Sequence, residues 1–274
     1  MTDRYAVVGH PVAHSLSPEI HAAFACQTGQ DIEYIRLLAP LDAFDATMAR
    51  FRAEGGQGVN VTAPFKFAAF RCCEPAASAM DAQAVNTIAF RGGKTLGYNT
   101  DGGGLVTDLE RNRAFSIRDK RVLVMGAGGA TAGIMHPVLQ GCPKLLVIAN
   151  RTLEKAAGLV ARFGKIKKFA ATAMTAAPYD ALGGDKFDLV INATSAGLRD
   201  EMPPLPAEVF AAGSLAYDMV YGRQTPFMKF AQSAGVRTSD GLGMLVEQAA
   251  EAFFIWRGVR PDTRPVIANL WKPA

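Results

Sequence analysis

One segment in the middle of the chain limits the possible folds more than any other. A compact apolar run, Arg121–Met125, leads directly into the turn Gly126-Ala-Gly-Gly-Ala130, and a helical stretch, Thr131–Gln140, follows. This order is typical of a dinucleotide site, because glycines let the backbone approach a pyrophosphate and the helix N-terminus offers free N–H groups. The usual third glycine is replaced by Thr131. Glycine-rich turns also occur for purely geometric reasons, so the turn taken alone leaves a structural interpretation open.

The next strand of this unit indicates which dinucleotide fits. Leu145–Ala149 ends about twenty residues further on, where an NAD-binding unit carries an acidic residue for the ribose hydroxyl. Here the strand ends in Asn150, Arg151 and Thr152, with Lys155 close behind. A guanidinium can bind a 2′-phosphate through charge-assisted hydrogen bonds worth about 1.5–3 kcal/mol each, whereas a carboxylate would repel it. The sequence therefore predicts NADP rather than NAD; the alternative is an Asn-capped helix with a solvated arginine and lysine.

Short apolar strand candidates alternate with helical stretches, a pattern typical of largely parallel sheets covered by helices. The predicted strands are Tyr5–Val8, Tyr34–Leu38, Gly58–Val61, Val85–Phe90, Thr95–Tyr98, Arg121–Met125, Leu145–Ala149, Phe187–Asn192 and Leu215–Met219. The predicted helices are Pro18–Thr28, Leu41–Glu54, a helix that follows Gly102–Gly104 and runs to about Arg111, Thr131–Gln140 and two helices within Gly241–Trp271. Ser17 is predicted to cap the first helix and Gly29 to end it. We therefore predict an α/β fold of two units connected through residues 101–118.

The composition argues against several other classes of protein. At 274 residues the chain can hold two domains, and its net charge of +4 comes without a basic tract, so we expect no nucleic-acid partner. Cys26, Cys72, Cys73 and Cys142 have no metal-binding spacing, so we expect free thiols and no metal. The sequence has neither a signal-peptide core nor an apolar run of about 20 residues, and we expect a cytoplasmic protein without a membrane partner. A monomer and a homodimer both stay open.

Polar residues stand at the ends of several strands in the first unit. Asn60, Asn86 and Asp101 each lie at or just beyond such an end, and Asn60 leads into a loop with Thr62 and Lys66. Because ligands of open parallel sheets lie beyond the carboxyl ends of the strands, these groups can converge on one crevice. They suit a polyhydroxylated ligand, since an apolar one would leave them unpaired at about 1–3 kcal/mol each. Taken singly, each also has a structural explanation as loop support, helix cap or solvated residue.

These stretches resemble the shikimate dehydrogenase family, and the matching motifs follow the family's order along nearly the whole chain. They are His-Ser-Leu-Ser-Pro at 14–18, Asn-Val-Thr-x-Pro-x-Lys at 60–66, Ala-Val-Asn-Thr at 84–87, Tyr-Asn-Thr-Asp-Gly at 98–102, Gly-Ala-Gly-Gly-Ala at 126–130, Asn-Arg-Thr at 150–152, Asn-Ala-Thr-Ser-Ala-Gly at 192–197, Tyr-Asp-Met-Val-Tyr at 217–221 and Asp-Gly-Leu-Gly-Met-Leu-Val-Glu-Gln at 240–248. The chain departs slightly from the family at His10, where the family often has Asn.

The resemblance implies NADPH-dependent, reversible reduction of 3-dehydroshikimate to shikimate in the chorismate pathway of aromatic amino-acid biosynthesis. It implies a substrate domain at 1–102 and 241–274, whose terminal helices return to it, and a Rossmann-like NADP-binding domain at 103–240. The implied substrate-binding residues are Ser15 and Ser17 for the carboxylate, Thr62, Asn86, Asp101 and Gln248 for the hydroxyls, Tyr221 to close the pocket and Asn60 as a support. The implied cofactor contacts are Gly126, Ala127, Gly128, Gly129, Ala130, Asn150, Arg151, Thr152, Lys155, Thr194, Met219 and Gly241.

Ketone reduction needs a proton for the carbonyl oxygen as well as a hydride from the cofactor. We expect Lys66 to supply that proton and Asp101 to orient both the ammonium and the reacting hydroxyl. Two alternatives stay open: a quinate/shikimate dehydrogenase that also uses NAD, and a non-catalytic NADP-binding regulator. Ser17 and Arg151 argue against the first. A non-catalytic regulator would be expected to have lost Lys66 or Asp101, and both residues are present.

Overall fold

The strands and helices alternate as predicted, and the α/β class is confirmed. The structure is a computed structural model that describes residues 2–270. The strands are β1 (Asp3–Gly9), β2 (Ile32–Leu38), β3 (Gly56–Val61), β4 (Glu74–Pro75), β5 (Thr87–Arg91), β6 (Lys94–Tyr98), β7 (Arg121–Met125), β8 (Leu145–Ala149), β9 (Ala173–Ala177), β10 (Phe187–Asn192), β11 (Phe210–Asp218) and β12 (Arg237–Ser239). The helices are α1 (Ser17–Thr28), α2 (Phe44–Ala53), α3 (Lys66–Arg71), α4 (Ala77–Met80), α5 (Asp101–Thr107), α6 (Gly129–Gln140), α7 (Leu153–Gly164), α8 (Pro226–Ser233), α9 (Leu242–Arg257) and α10 (Arg264–Leu270).

Contacts divide the chain into two units, each with its own sheet. One unit takes in the chain up to Gly104 together with Leu245–Asn269, and the other takes in Leu105–Met244 together with Leu270, which we predicted to be part of the first unit. The changeovers therefore fall two and four residues after the predicted ones, and α5 and α9 each run across one of them. The assignment of the units to substrate and cofactor stays a prediction. Residues 271–274, which we predicted to be part of the first unit, lie outside the described residues.

The first unit is built on a mixed sheet with the strand order β2-β1-β3-β5-β6-β4. β2 and β3 run parallel to β1, whereas β5 runs antiparallel to both β3 and β6. In this register Asn60 pairs with Thr87, and Thr87 pairs with Tyr98. This register brings the polar end of β3, the residues before β5 and the residues after β6 to the same end of the sheet.

Helix α9 belongs to this first unit from Leu245 onward. Trp256 on α9 donates a hydrogen bond from Nε1 to the carbonyl oxygen of Ile88, at 3.0 Å, and its ring stacks on Tyr5 of β1 at 4.6 Å. Gly58 leaves the space that the indole fills, since a Cβ there would lie 2.5 Å from Nε1 of Trp256. The predicted return of the terminal helices to the first unit is confirmed.

The second unit has a fully parallel sheet with the order β12-β11-β10-β7-β8-β9. Read from the far edge, this is the 3-2-1-4-5-6 order of a doubly wound dinucleotide-binding fold. Its central strands are buried on both faces, which is why they read in the sequence as continuous apolar runs rather than alternating ones. None of the helices in residues 2–270 has the length and apolar run that a membrane crossing requires.

One local prediction was wrong. Ser17 does not cap α1, because it is the first helical residue, and Leu16 occupies the cap position without a side-chain hydrogen bond. The Ser17 backbone N–H instead contacts the hydroxyl of Ser15, at 3.3 Å. The predicted end of the helix was right, since Gly29 adopts a left-handed conformation with φ of 65°.

Candidate functional site

Lys66 and Asp101 meet in the first unit although 35 residues separate them in sequence. Lys66 begins α3 and Asp101 begins α5, and the ammonium contacts Oδ2 of Asp101 at 2.5 Å. Their side chains are 19% and 8% exposed, so the ion pair is largely withdrawn from water but still accessible to a ligand. The pair places a proton donor and an oriented carboxylate next to each other.

The other oxygen of the Asp101 carboxylate is held by Asn86. The amide nitrogen Nδ2 of Asn86 contacts Asp101 Oδ1 at 2.8 Å, Thr100 Oγ1 at 2.9 Å and Gln248 Oε1 at 3.2 Å. Its oxygen accepts a hydrogen bond from the backbone N–H of Thr100 at 2.8 Å. Asn86 is 2% exposed, so these contacts fix its amide, and through it the carboxylate of Asp101.

Asn60 lies behind this group rather than within it. Its oxygen accepts a hydrogen bond from the Tyr34 hydroxyl at 2.7 Å, and its nitrogen donates to Thr87 Oγ1 at 3.0 Å. Thr87 in turn donates to Oδ1 of Asn86 at 3.0 Å. Because both ends of the Asn60 amide are used by the protein, this geometry suits a supporting role better than direct contact with a ligand.

Ser15, Ser17 and Thr62 complete the set predicted for the first unit. The two serines are 7% and 4% exposed, and the hydroxyl of Ser15 donates to that of Ser17 at 3.1 Å. Thr62 follows β3, and its backbone N–H donates to the carbonyl oxygen of Val8 at 2.9 Å. Its methyl group packs so closely on Gly9 that a Cβ at that glycine would lie 2.4 Å away. A side chain at residue 9 would therefore push Thr62 out of place.

In the second unit the glycine turn is open at the point where it leads into α6. Gly126 is buried and has φ of 99°, which favours glycine. Gly128 is exposed, with no atom within 4 Å of where its Cβ would be, and it precedes α6 without any side-chain cap. The first N–H groups of α6 are thus available to an anion. Thr131, in place of the third glycine, donates its hydroxyl to the carbonyl oxygen of Gly126 at 2.9 Å and holds the turn closed.

The residues predicted to select NADP follow β8 at the adjacent strand end. Arg151, Thr152 and Lys155 are exposed, and the Asn150 amide donates to the carbonyl oxygen of Thr152 at 2.8 Å. The charged groups of Arg151 and Lys155 are therefore accessible to a phosphate group of a ligand. Asn150 shapes its own loop and does not cap α7, whose cap position is Thr152, so the alternative of an Asn-capped helix was wrong. The cofactor contact of Asn150 stays a prediction.

Three further predicted cofactor contacts lie just after strands of this sheet. Thr194 follows β10, and its hydroxyl donates to Asn192 Oδ1 at 2.7 Å. Met219 follows β11 and is half-buried, whereas Gly241 precedes α9 and packs on the backbone of Met219, where a Cβ would lie 2.4 Å from the Met219 carbonyl oxygen. Tyr221, predicted to close the substrate pocket, is half-buried and belongs to this second unit.

Sequence reasoning missed two tyrosines beside these sites. Tyr34 bonds Asn60, and Tyr179 lies next to the backbone of Gly126 and close to Arg151. Burial raises the pKa of Tyr179 to about 12, so it stays a neutral phenol under the glycine turn. Neither residue belongs to a recognisable motif. The only available signal was the position of Tyr34, opposite Tyr5 in a strand adjacent to β1.

The strand order and the glycine turn define a Rossmann-type dinucleotide-binding protein, and the exposed arginine after β8 favours a phosphorylated dinucleotide. Comparison with known families gives a more specific result. The chain matches the shikimate dehydrogenase substrate binding domain over residues 7–88, the shikimate / quinate 5-dehydrogenase family over 108–199, and the shikimate 5'-dehydrogenase C-terminal domain over 241–270. The chain belongs to the shikimate dehydrogenase family.

Individual relatives agree with this assignment over nearly the full length. The chain is 56% identical over 270 residues to the shikimate dehydrogenase (NADP(+)) of Methylobacillus flagellatus, covering 98% of each chain. Its structure is similar to that of an Ael1 enzyme from Pseudomonas putida, with 46% identity, a TM-score of 0.91 and 99% of each chain covered. It is also similar to shikimate 5-dehydrogenase from Thermus thermophilus in complex with NADP(H) and shikimate, with 32% identity, a TM-score of 0.85 and 97% and 98% of the two chains covered.

Proposed function

We propose that this protein is an NADP-dependent shikimate dehydrogenase, which interconverts 3-dehydroshikimate and shikimate. The observation that carries the proposal is the buried contact of Lys66 with Asp101, held in place by Asn86. Relatives at 51–56% identity that carry the name shikimate dehydrogenase (NADP(+)) support the same activity.

The first unit supplies the groups that suit a carboxylated, hydroxylated ring. Ser15 and Ser17 offer two hydroxyl donors for the carboxylate, and Asn86, Asp101 and Gln248 offer acceptors and donors for ring hydroxyls. Buried polar groups of this kind discriminate strongly against ligands that leave them unpaired, at about 1–3 kcal/mol for each lost partner. A polyhydroxylated acid satisfies more of them than an apolar ketone would.

Lys66 is the proton donor for the carbonyl oxygen in the reductive direction. Its ammonium gives up a proton as negative charge develops on that oxygen, and in the oxidative direction the amine recovers a proton from the hydroxyl. Asp101 keeps Nζ at a fixed position through Oδ2, while Asn86 holds Oδ1 and prevents the carboxylate from turning. Reduced NADP supplies the hydride when it is bound.

The second unit holds the dinucleotide. Gly126–Ala130 and the start of α6 fit its pyrophosphate, because the turn is open at Gly128 and the helix N-terminus carries no side-chain cap. Arg151 and Lys155 fit the 2′-phosphate, because both are exposed at the end of β8. Thr194, Met219 and Gly241 follow the carboxyl ends of β10, β11 and β12, the side of a parallel sheet where ligands bind.

The remaining expectations concern setting and partners. We propose a cytoplasmic protein whose ligands are shikimate, 3-dehydroshikimate and NADP, without nucleic acid or membrane partners. The absence of a spanning helix among residues 2–270 and the exposure of Cys26, Cys72 and Cys142 as free thiols support this setting.

Absorbance of the reduced nicotinamide tests the proposed function directly. We expect the purified protein to reduce NADP with shikimate, and to react far more slowly when quinate replaces shikimate or NAD replaces NADP. Comparable rates with quinate and NAD would favour the broader quinate/shikimate activity. No turnover with any combination, together with measurable NADP binding, would favour a regulator instead.

A further inference from the structure

The two serines that face the substrate carboxylate cannot fix themselves in place. Ser15 lies in the loop before α1 and Ser17 is the first residue of that helix, and their hydroxyls contact each other at 3.1 Å. A serine hydroxyl rotates freely about one bond, and within the pair the only further contact runs from the Ser17 backbone N–H to the Ser15 hydroxyl. Whatever orients this pair must come from a neighbouring element.

The strand β2 supplies one such anchor through Arg36. Its Nε and Nη2 donate to the carbonyl oxygen of Ser15, at 2.9 and 2.6 Å. Nη2 also contacts both carboxylate oxygens of Glu19, at 2.6 and 2.9 Å, in the first turn of α1. The guanidinium therefore ties the serine loop to β2 and to α1 at once. Only arginine has the planar fork that makes these contacts together.

Tyr34 supplies the second anchor from the same face of β2, two residues earlier. Its hydroxyl donates to Asn60 Oδ1 at 2.7 Å. Burial raises the pKa of the Tyr34 phenol, and the Ser17 hydroxyl partly offsets that rise. Its ring lies flat on His21 of α1, with centroids 4.2 Å apart and planes 6° apart. The Tyr34 side chain is therefore fixed by ring stacking on one face and by the hydrogen bond of its hydroxyl. It connects the first turns of α1, where Ser17 and His21 lie, to the Asn60–Thr87–Asn86 chain of hydrogen bonds described above.

We propose that Tyr34 and Arg36 are positioning residues that hold Ser15 and Ser17 ready for the substrate carboxylate. This inference rests on the proposed function. Donors that are already placed lose less freedom when a ligand binds, so their placement strengthens affinity for the group they contact. Arg36 contacts neither Lys66 nor Asp101, and Tyr34 reaches Asp101 only through Asn60, Thr87 and Asn86. We therefore expect the main effect on substrate binding and a much smaller one on proton transfer.

Tyr34→Phe tests the inference, because it keeps the ring on His21 and removes only the hydroxyl. We expect KM for shikimate to rise about three- to tenfold, which corresponds to the free energy of one neutral hydrogen bond. Turnover and KM for NADP should stay within about twofold of wild type. Tyr5→Phe is the matched control: Tyr5 pairs with Tyr34 in the sheet, but its hydroxyl contacts Arg257 at 3.4 Å. All constants of the control should match those of wild type.

A pair of substitutions at Arg36 separates placement from charge. Arg36→Lys keeps the positive charge but cannot form the fork, whereas Arg36→Gln removes both. We expect both variants to raise KM for shikimate to a similar extent. A wild-type KM in Arg36→Lys would mean that the charge alone matters, and it would overturn the positioning role of this residue.

The methyl ester of shikimate provides a measurement that a general structural defect would not move. The ratio of kcat/KM for the acid to that for the ester reports the contribution of the carboxylate, and it does not depend on the fraction of folded protein. We expect this ratio to fall about three- to tenfold in Tyr34→Phe and in Arg36→Lys, and to stay unchanged in Tyr5→Phe. An unchanged ratio in the two β2 variants would overturn the inference. A wild-type protein that does not oxidise shikimate would instead refute the proposed function.

Discussion

Acid should destabilise the first unit through a single buried histidine. His21 on α1 is fully buried against Tyr34, Phe24 and Trp256, with ring centroids at 4.2, 5.9 and 5.4 Å. Neither of its ring nitrogens has a well-formed hydrogen bond in the described part of the chain. Burial lowers the pKa of His21 to about 3, against 6.5 for an unperturbed histidine, because the charged ring would lose its water.

The consequence for stability follows from where the proton binds. Between pH 6.5 and 3 the unfolded chain binds a proton at His21 that the folded chain excludes, so the free energy of unfolding falls as the pH falls. With these two pKa values the loss is about 2 kcal/mol at pH 5 and about 3 kcal/mol at pH 4. Above pH 7 the ring of His21 is neutral in both the folded and the unfolded chain, so it no longer changes the free energy of unfolding.

Urea unfolding at pH 4, 5, 6 and 7 measures this loss, with the fluorescence of Trp256 as a reporter next to His21. His21→Leu has a similar volume and does not titrate. Other titrating groups contribute equally to both proteins, so the difference between their pH profiles isolates the histidine. We expect the profile of wild type to be steeper by about 2 kcal/mol between pH 7 and pH 5. Parallel profiles would refute the reasoning and place a proton on the folded-state ring.

Three further substitutions test the two sites and the core of the second unit. Lys66→Ala should retain shikimate binding but lose about 10²–10⁴-fold in turnover, as removal of a general acid does, and unchanged turnover would exclude this lysine from proton transfer. Arg151→Ala should weaken NADP binding about 10- to 150-fold and NAD binding little, measured by titration; equal losses would place the guanidinium away from the 2′-phosphate. Gly243→Ala should destabilise by about 1–3 kcal/mol in urea unfolding, because the new Cβ would lie 1.9 Å from Oδ1 of the buried Asp108. Gly158→Ala, with open space around it, is the control and should be neutral or slightly stabilising.

Strands that are buried on both faces could be predicted residue by residue. Three such strands have the predicted bounds, because a continuous apolar run between turns defines both ends of a strand. They are Arg121–Met125, Leu145–Ala149 and Phe187–Asn192. β4 and β12 were missed, because strands of two and three residues are too short to carry a pattern. β9 was missed as well, because this alanine-rich strand is not buried and has no compact apolar run.

The contacts of the site were less predictable than its members. No local pattern relates Lys66 to Asp101, and their meeting depends on the antiparallel insertion of β5 and β6 into the first sheet. Family motifs placed both residues, but they gave no indication of Tyr34 or Arg36. These two act through bonds to a backbone carbonyl and to an amide, and such bonds leave no signature in their own segment.

The hydrogen bonds that close the first unit come from opposite ends of the chain. Gln248 accepts from Asn86, and Trp256 donates to Ile88, so α9 contributes to a unit whose sheet was completed more than a hundred residues earlier. During synthesis, Leu105–Met244 is therefore available as a continuous folding unit before the unit that precedes it in sequence is complete. A chain interrupted just before α9 would carry Lys66, Asp101 and the whole glycine turn, yet its first sheet would lack the helix that covers it.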